Sequence, residues 1–266
     1  MWDITRALEL ALFRTFAVPS IGALLASTGE FQNNGQKRYD DTALLLNTLL
    51  QDGYDGPVGS RALARMNQTH AHFNISNEDY LFVLSTFVLD PIYWIERFGW
   101  RKLTDREQHA LFLFWQQIGI RMGLTSLPSS LNEMQTNSWQ YVEAQMRYAK
   151  GNQKVADSTI RIAEGWLPRL LRPFVRPVTA AVLEPRAREA VGLRETPAPI
   201  RWAIGAALKS RALVMRTLRL RPKPNWPDGH RTYPSGYEIE DLAPHVLREA
   251  ESTSGTVSNI PGTADQ

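Results

Sequence analysis

Helix-start signals recur along this sequence, and they constrain the fold more than any other feature. The run Thr104-Asp105-Arg106-Glu107 has the pattern of a capping box, in which the Thr104 hydroxyl and the Glu107 carboxylate each accept a hydrogen bond from the other residue's backbone N–H. Apolar residues then recur at every fourth position from Ala110 to Met122. The cap and the periodicity together predict an amphipathic helix that begins near residue 105.

Further starts of the same kind lie on both sides of this one. Ser76 and Ser130 each precede a helical pattern and carry an acidic residue three positions later. Asp90-Pro91 has the pattern of an N-cap followed by proline at the first helical position, and Ser60 is expected to cap the helix that follows it. The apolar run 81–89 is compatible with a buried strand, but the signals on either side favour a helix. Alternating strands joined by Asn-Gly or Asp-Gly turns are absent from the sequence, so the chain is predicted to be all-α.

Length and composition favour one large helical domain with a polar tail. The chain has 266 residues, of which 43% are hydrophobic, enough to build a sizeable core. We assign residues 1–247 to a single helical domain and expect the small, polar residues 248–266 to be disordered. Prolines from Pro168 onward are expected to divide the next segment into short helices, before a basic amphipathic helix over about 200–220.

Positive charge is concentrated in the C-terminal third of the chain. Between Arg161 and Lys223 there are 14 Lys or Arg against four Asp or Glu. A cluster of basic residues of this kind is more often the solvent-exposed side of a helix, and contact with an anionic membrane is the alternative. No nucleic-acid partner is expected. No secretory signal is visible, and the uncharged run Thr15 to Gly29 is shorter than the roughly 20 residues of a spanning helix. An intracellular protein, cytoplasmic or peripherally attached to a membrane, is therefore expected.

The absence of cysteine narrows the metal chemistry. It excludes disulfide scaffolds, zinc ribbons, iron–sulfur clusters and thiolate-ligated haem, so any metal must be held by His, carboxylate or Tyr. The chain has five histidines, and neither His-Glu-x-x-His nor paired Glu-x-x-His motifs occur. A zinc hydrolase is therefore poorly supported.

His70 and His72 form the first candidate site. Residues two apart on a helix project about 200° apart, so at most one of the two faces the interior as a ligand. A hydrogen-bonded structural histidine is the alternative for that residue.

Arg38 and Thr42 form the second candidate site. They are four residues apart at the start of a predicted helix and therefore share a face, which carries a permanent cation and a hydroxyl. Such a face suits an anionic group or a bound oxygen species. The alternative is an ordinary charged first turn, in which Asp40 and Asp41 complement the helix dipole.

An aromatic cluster near the middle of the chain is the third candidate. These residues could line a wide apolar pocket, rimmed by Arg97 and Arg101, that suits a flat hydrophobic molecule with carboxylate groups. The alternative is that they pack in the hydrophobic core. P-loops, nucleophile elbows and Gly-x-Gly-x-x-Gly are absent. The aromatic residues are Tyr93, Trp94, Phe98, Trp100, Phe112, Phe114 and Trp115.

Several of these stretches together resemble one known family. Residues 11–31, 37–42, 64–73 and 75–124, followed by the closing segment 231–244, are similar in order and spacing to the MpaB/rubber-oxygenase family of helical b-haem oxygenases. That family includes latex-clearing proteins and a fungal enzyme that cleaves a farnesyl chain. The resemblance implies an all-α fold with a globin-like core and additional C-terminal helices.

The resemblance also assigns a haem ligand. The family's Arg-x-Asn-x-x-His pattern falls on Arg65, Asn67 and His70, which implies that His70 and not His72 is the axial ligand of the haem b iron. Cations are needed for the haem propionates, and Arg65, Arg97 and Arg101 remain open as candidates.

The distal side of the implied haem departs from part of the family. The family's Arg-x-x-x-Thr element looks like Arg38 and Thr42. In rubber oxygenases a lysine precedes this threonine and can cap the iron, whereas Asp41 stands at that position here. The difference implies a chemistry closer to the fungal branch than to polymer cleavage.

The resemblance implies an oxidoreductase. Its substrates would be dioxygen and a lipophilic, isoprenoid-like molecule, with Arg38, Thr42 and Asp41 near the reaction. Two alternatives stay open: a non-catalytic haem-binding protein, and a haem-free helical protein that docks on a membrane or partner through residues 161–223. The sequence does not indicate the oligomeric state.

Overall fold

Helices account for nearly all the regular structure of this protein. The computed structural model describes residues 2–218 and 230–244. Over these two ranges there are twelve α-helices and two 3₁₀ turns, and the only β pairing is an isolated bridge between His230 and Tyr233. The prediction of an all-α fold is confirmed. The predicted disordered tail 248–266, and the part of the basic region beyond residue 218, lie outside the described residues.

The helices vary in length from one turn to six. The two 3₁₀ turns are Arg172–Phe174 and Ile239–Asp241. In chain order the α-helices are α1 Trp2–Thr15, α2 Pro19–Thr28, α3 Glu30–Asn33, α4 Gly35–Asp52, α5 Pro57–Ala71, α6 Asn77–Phe98, α7 Asp105–Arg121, α8 Leu131–Gln145, α9 Lys150–Gly165, α10 Val175–Val182, α11 Pro185–Ala190 and α12 Ala198–Thr217.

Three of the predicted helix starts are confirmed. Thr104 caps α7 through a complete capping box with Glu107. The Ser76 hydroxyl accepts from the backbone N–H of Asp79 at 3.1 Å at the start of α6, and Ser130 caps α8 in the same way. Each of these caps satisfies a backbone donor that the first helical turn leaves without an intrahelical partner.

The predicted start at Asp90-Pro91 is wrong, because α6 continues through Pro91. A proline inside a helix removes one backbone hydrogen bond and costs about 3 kcal/mol. Packing compensates here: α6 lies along α1, and the Asp90 carboxylate pairs with the Arg14 guanidinium at 3.2 Å. The predicted helix over 81–89 is confirmed as part of α6.

Ser60 was also expected to start a helix, and this too is wrong. The helix α5 begins three residues earlier, after Gly56, and Ser60 lies inside its first turn. The Asp52 carboxylate at the end of α4 accepts from the backbone N–H groups of Val58 and Gly59 at 2.7 and 2.8 Å. A side chain from the preceding helix thus performs the capping that Ser60 was expected to perform.

The described residues fall into two compact units, and residues 2–32 and 75–218 form the first. In this unit α1 packs along α6, α2 packs along α9, and α6 also contacts α7 and α8. Close approach of α2 and α9 depends on Gly22, since a Cβ there would lie 2.1 Å from the Asn152 Oδ1 atom. The larger buried apolar side chains of its main core are Phe13, Phe16, Val18, Phe82, Val142, Met146, Val155, Ile160, Leu183, Val191 and Leu193.

Residues 33–74 and 230–244 form the second unit. Here α4 packs against α5, and the 3₁₀ turn Ile239–Asp241 contacts α5. Leu44, Ala62, Ile239 and Leu242 are buried together at the centre of this unit. The domain boundaries inferred from the sequence, and the globin-like core implied by the resemblance, stay predictions.

Proline divides the segment after α9 as expected. The 3₁₀ turn Arg172–Phe174 leads into α10, and α11 is a short helix of six residues. The predicted basic helix is present as α12, in which Ala212 is the one fully buried residue. Residues 219–220, the end of that prediction, lie outside the described ranges.

None of the described helices, taken singly, combines the length and the apolar composition of a membrane span. The helices α1 and α2 meet that criterion only when they are counted together, and the chain bends by 95° between them.

Candidate functional site

The two neighbouring histidines have different surroundings at the end of α5. His70 belongs to the last turn, is only partly exposed, and has a fully buried Nδ1 atom. His72 follows the helix and is exposed, and its Nδ1 lies 2.7 Å from the carbonyl oxygen of Gln68. His70 is therefore the histidine whose imidazole is shielded from solvent.

The surroundings of His70 keep its imidazole neutral. Burial penalises the charged imidazolium, and the nearby positive charge of Arg38 adds to that penalty. Together the two causes lower the pKa of His70 to about 4. At neutral pH the ring therefore has one N–H group and one nitrogen lone pair, which is the form of histidine that binds metals.

Arg38 and Thr42 share one face of α4, as their spacing predicts. The Arg38 guanidinium donates to the Thr42 hydroxyl, and this hydroxyl donates to the Arg38 backbone carbonyl at 2.9 Å. Since the charge of Arg38 also acts on His70, this face of α4 and the end of α5 share one electrostatic environment. The site thus combines a fixed cation, a hydroxyl and a neutral imidazole.

Asp41 follows Arg38 by three residues on α4 and contacts the segment 230–244. One of its carboxylate oxygens pairs with the Lys37 ammonium at 2.7 Å, and the other accepts from the Tyr233 hydroxyl at 2.6 Å. Burial raises the pKa of Asp41, while the hydrogen bonds from Lys37 and Tyr233 oppose that rise. Both oxygens of Asp41 are therefore engaged: Tyr233 links one of them to the segment 230–244, and the other holds Lys37, whose ammonium also donates to the Ala243 carbonyl at 2.7 Å.

Asp40 makes a second attachment to the same segment. Its carboxylate accepts from the backbone N–H and the hydroxyl of Thr232 at 2.9 and 2.6 Å. The Nδ1 atom of His230 lies 3.6 Å from the other carboxylate oxygen, and Asp40 itself is buried. The sequence predicts for Asp40 only a complement to the helix dipole, because the partners of its carboxylate follow about 190 residues later in the chain.

Arg65 lies on α5 in the same unit as His70. Its side chain is buried, and its guanidinium lies 3.5 Å from the Gln68 side-chain oxygen. Arg65 also affects Glu240: the pKa of that carboxylate is lowered first by its hydrogen bond from Arg61 and further by the charge of Arg65. A buried guanidinium of this kind is suited to hold a carboxylate.

Arg97 and Arg101, the other predicted cations, belong to the first unit. Both are exposed: Arg97 lies over the ring of Phe98, and Arg101 makes a two-pronged ion pair with Glu107 at 2.6 and 2.7 Å. The structure thus places Arg38, Thr42, Arg65 and His70 in one unit, and Arg97 and Arg101 in the other.

The aromatic cluster is mainly core packing. Trp115 is buried and stacks on Phe87 with ring centroids 4.6 Å apart, and Phe98 packs edge-on against Trp94. Tyr93 and Trp100 are exposed. The packing alternative therefore accounts for most of this cluster.

The described side chains do not form a metal-binding cluster. Within residues 2–218 and 230–244, no group of three or more His, Asp or Glu is arranged to hold a metal ion. His70 therefore offers one imidazole as a ligand, with the positive charge of Arg38 nearby.

Fold and site together define an all-α protein whose second unit presents a shielded, neutral histidine beside an arginine–hydroxyl pair. Residues 5–220 match the family described as ER-bound oxygenase mpaB/B'/rubber oxygenase, catalytic domain. The chain belongs to this oxygenase family, and the resemblance seen in the sequence is confirmed.

Similar proteins come from Penicillium. The ER-bound oxygenase mpaB' of Penicillium brevicompactum is 32% identical over 79% of this chain and 54% of its own length. The ER-bound oxygenase mpaB of Penicillium roqueforti (strain FM164) is 30% identical over 70% of this chain and 68% of its own length. The ER-bound oxygenase mpaB of Penicillium brevicompactum is 36% identical over 46% of this chain. The chain spans about half the length of the first of these relatives.

Proposed function

We propose that this protein is a haem b-dependent oxygenase that uses dioxygen to attack or cleave a lipophilic, isoprenoid-like substrate. Membership of an oxygenase family supports the reaction class. The observation that carries the cofactor assignment is the shielded, neutral imidazole of His70 next to Arg38.

The donor set suits a porphyrin better than a bare metal ion. A porphyrin brings nitrogen donors of its own, so one histidine from the protein would suffice to hold its iron. His70 is neutral at physiological pH and provides that ligand. Buried Arg65 on the same helix is the preferred partner for a propionate, because Arg101 is already paired with Glu107 and Arg97 is exposed.

Haem b, when bound, supplies the redox chemistry that activates dioxygen. Arg38 would stabilise negative charge that develops on the oxygen atoms of dioxygen, and a charge-assisted hydrogen bond of this kind contributes roughly 1.5–3 kcal/mol. The Thr42 hydroxyl holds a proton at Oγ1, which it donates to the Arg38 carbonyl in the structure and could redirect to a bound oxygen atom, while the Arg38 guanidinium donates to the same Oγ1 and fixes its position. Asp41 acts in this proposal through the position of α4, since both its oxygens are engaged.

The substrate and cellular location are part of the proposal. An isoprenoid-like molecule fits the resemblance to enzymes that cleave such chains, and the relatives are named as ER-bound oxygenases. We propose a protein held at a membrane surface from the cytoplasmic side through its basic C-terminal region. The oligomeric state is left open.

Absorption spectroscopy tests the ligand assignment. The protein reconstituted with hemin is expected to show a Soret band, which His70→Ala should abolish. His72→Ala is the matched control and should retain it, because His72 is exposed and lies beyond α5. Haem retained by the His70 variant with an unchanged spectrum would contradict the assignment, and a wild-type protein that stays colourless with hemin would contradict the whole proposal.

Measurements of oxygen consumption test the role of Thr42. Thr42→Val preserves size and should leave the Soret band in place while oxygen consumption with an alkene substrate falls. Unchanged turnover would remove Thr42 from the mechanism. Bound haem without oxygen consumption by the wild type with any alkene would instead favour a non-catalytic haem protein.

A further inference from the structure

We propose that the first unit carries a docking surface for anionic lipid, formed by residues 167–174 and the outer side of α12. The surface would bring the proposed oxygenase to a lipophilic substrate and in that sense rests on the proposed function. Vesicle binding needs neither haem nor turnover, so the two proposals can fail separately.

The first part of this surface is a run of exposed apolar residues. All eight residues from 167 to 174 are exposed, and four of them are leucine or phenylalanine. Leu170 is 83% exposed and Phe174 is 58% exposed. Single exposed apolar residues are common, but four within eight positions form a patch that is typical of an interaction site.

The second part of the surface is α12. Trp202 is 77% exposed and Leu213 is 59% exposed, and Val214 and Leu218 are exposed near the end of the helix. Trp202 and Leu213 are separated by about three helical turns and therefore share one side of α12, and Val214 and Leu218, four residues apart, lie together on the adjoining part of its surface. Both α12 and the 3₁₀ turn Arg172–Phe174 pack against α10, so the two apolar stretches have a common neighbour.

The charges on these segments are of one sign. No Asp or Glu occurs from Gly165 to Leu183 or from Thr196 to Leu218. Arg169, Lys209 and Arg216 make no ion pair with any residue that the structure describes, so their charges are available to a partner. Exposed leucine and tryptophan beside unpaired cations match the interface of an anionic bilayer, where apolar side chains insert and cations meet headgroups.

Vesicle flotation tests the surface with the full chain. We expect binding to vesicles of 70% phosphatidylcholine and 30% phosphatidylserine, and weaker binding to pure phosphatidylcholine. The pair Leu170→Ser and Phe174→Ser should lower the affinity at least tenfold, because each side chain loses its apolar burial. The pair Arg169→Gln and Lys209→Gln should lower it roughly 25-fold, since each cation near an anionic surface changes the affinity about fivefold.

Matched controls come from exposed residues elsewhere on the first unit. Trp139 on α8 is 65% exposed, and Trp139→Ser should leave vesicle affinity unchanged. The pair Arg106→Gln and Lys154→Gln removes the same charge as the cation pair from exposed positions on α7 and α9, and should have the smaller effect. Circular dichroism should show unchanged helicity in all variants, because every substituted side chain is exposed.

Three results would overturn the inference. The first is no binding to anionic vesicles by the wild type. The second is an equal loss of binding in the control pair Arg106→Gln and Lys154→Gln, which would show that overall charge and not this surface determines binding. The third is a concentration-dependent dimer in sedimentation that Leu170→Ser and Phe174→Ser convert to monomer, which would assign this surface to a second copy of the chain.

Discussion

Lowering the pH of the haem-free protein should weaken the fold through His70. In an unfolded chain this imidazole takes up a proton near its ordinary pKa of 6.5, whereas in the folded protein burial and the charge of Arg38 lower the pKa to about 4. Between these two values the unfolded state binds more protons than the folded state, so acidification favours unfolding. The stability that His70 contributes is fully present above pH 6.5 and is lost as the pH falls towards 4.

The size of this effect follows from the two pKa values. A difference from 6.5 to about 4 corresponds to about 3 kcal/mol of unfolding free energy. The reference is His70→Gln, which keeps a polar side chain but does not titrate. The difference in unfolding free energy between wild type and His70→Gln should therefore change by about 3 kcal/mol between pH 7 and pH 4 in favour of the variant.

Two measurements check this prediction. Urea unfolding from pH 8 to pH 4 gives the free-energy difference, and the Cε1–H resonance of His70 gives its pKa directly. In Arg38→Gln the pKa should rise but stay below 6.5, because burial is the larger of the two causes. A His70 that titrates near 6.5, or a free-energy difference that does not vary with pH, would refute the shielded, neutral imidazole.

Three further predictions concern the packing that supports the site and the first unit. Tyr233→Phe removes a hydrogen bond to the Asp41 carboxylate and should cost roughly 1.5–3 kcal/mol in urea unfolding, whereas an unchanged midpoint would show that this contact is not formed in solution. Gly22→Ala places a Cβ 2.1 Å from the Asn152 side-chain oxygen and should destabilise by about 1–3 kcal/mol in thermal unfolding, and a neutral result would contradict the close packing of α2 on α9. Thr104→Ala should cost about 1 kcal/mol through the lost cap of α7, with Thr104→Ser close to wild type; equal losses in both variants would point away from capping.

Helix starts could be predicted where the capping side chain lies within three residues of the group that it caps. Thr104, Ser76 and Ser130 meet this condition, and their caps are confirmed. Asp90-Pro91 has an equally good local pattern, yet α6 continues through it because its neighbours pack along α1 and Asp90 pairs with Arg14. Local patterns do not contain that packing energy, so the sequence alone could not reject this start.

Some features of the candidate site could likewise be predicted from the sequence, and others could not. The common face of Arg38 and Thr42 follows from helical spacing and could be predicted. The shielding of His70 depends on how α4 packs against α5, and the contact of Asp41 with Tyr233 joins residues 192 positions apart. Neither of these features has a signal in the neighbouring sequence, so the hydrogen bond from Tyr233 to Asp41 could not be predicted.

The contacts of Asp41 show what a carboxylate at this position does for α4. Arg38 bonds to Thr42 and its charge acts on His70, while Asp41, one turn along the same helix, is held by Lys37 and Tyr233. A carboxylate with both oxygens engaged has neither the donor nor the charge of the lysine that the resemblance places there. Its contacts instead fix α4 against the segment 230–244, so the position of the Arg38 guanidinium depends on residues near the end of the described chain. We therefore expect changes in the segment 230–244 to alter the positions of Arg38 and Thr42, because this segment helps to place α4.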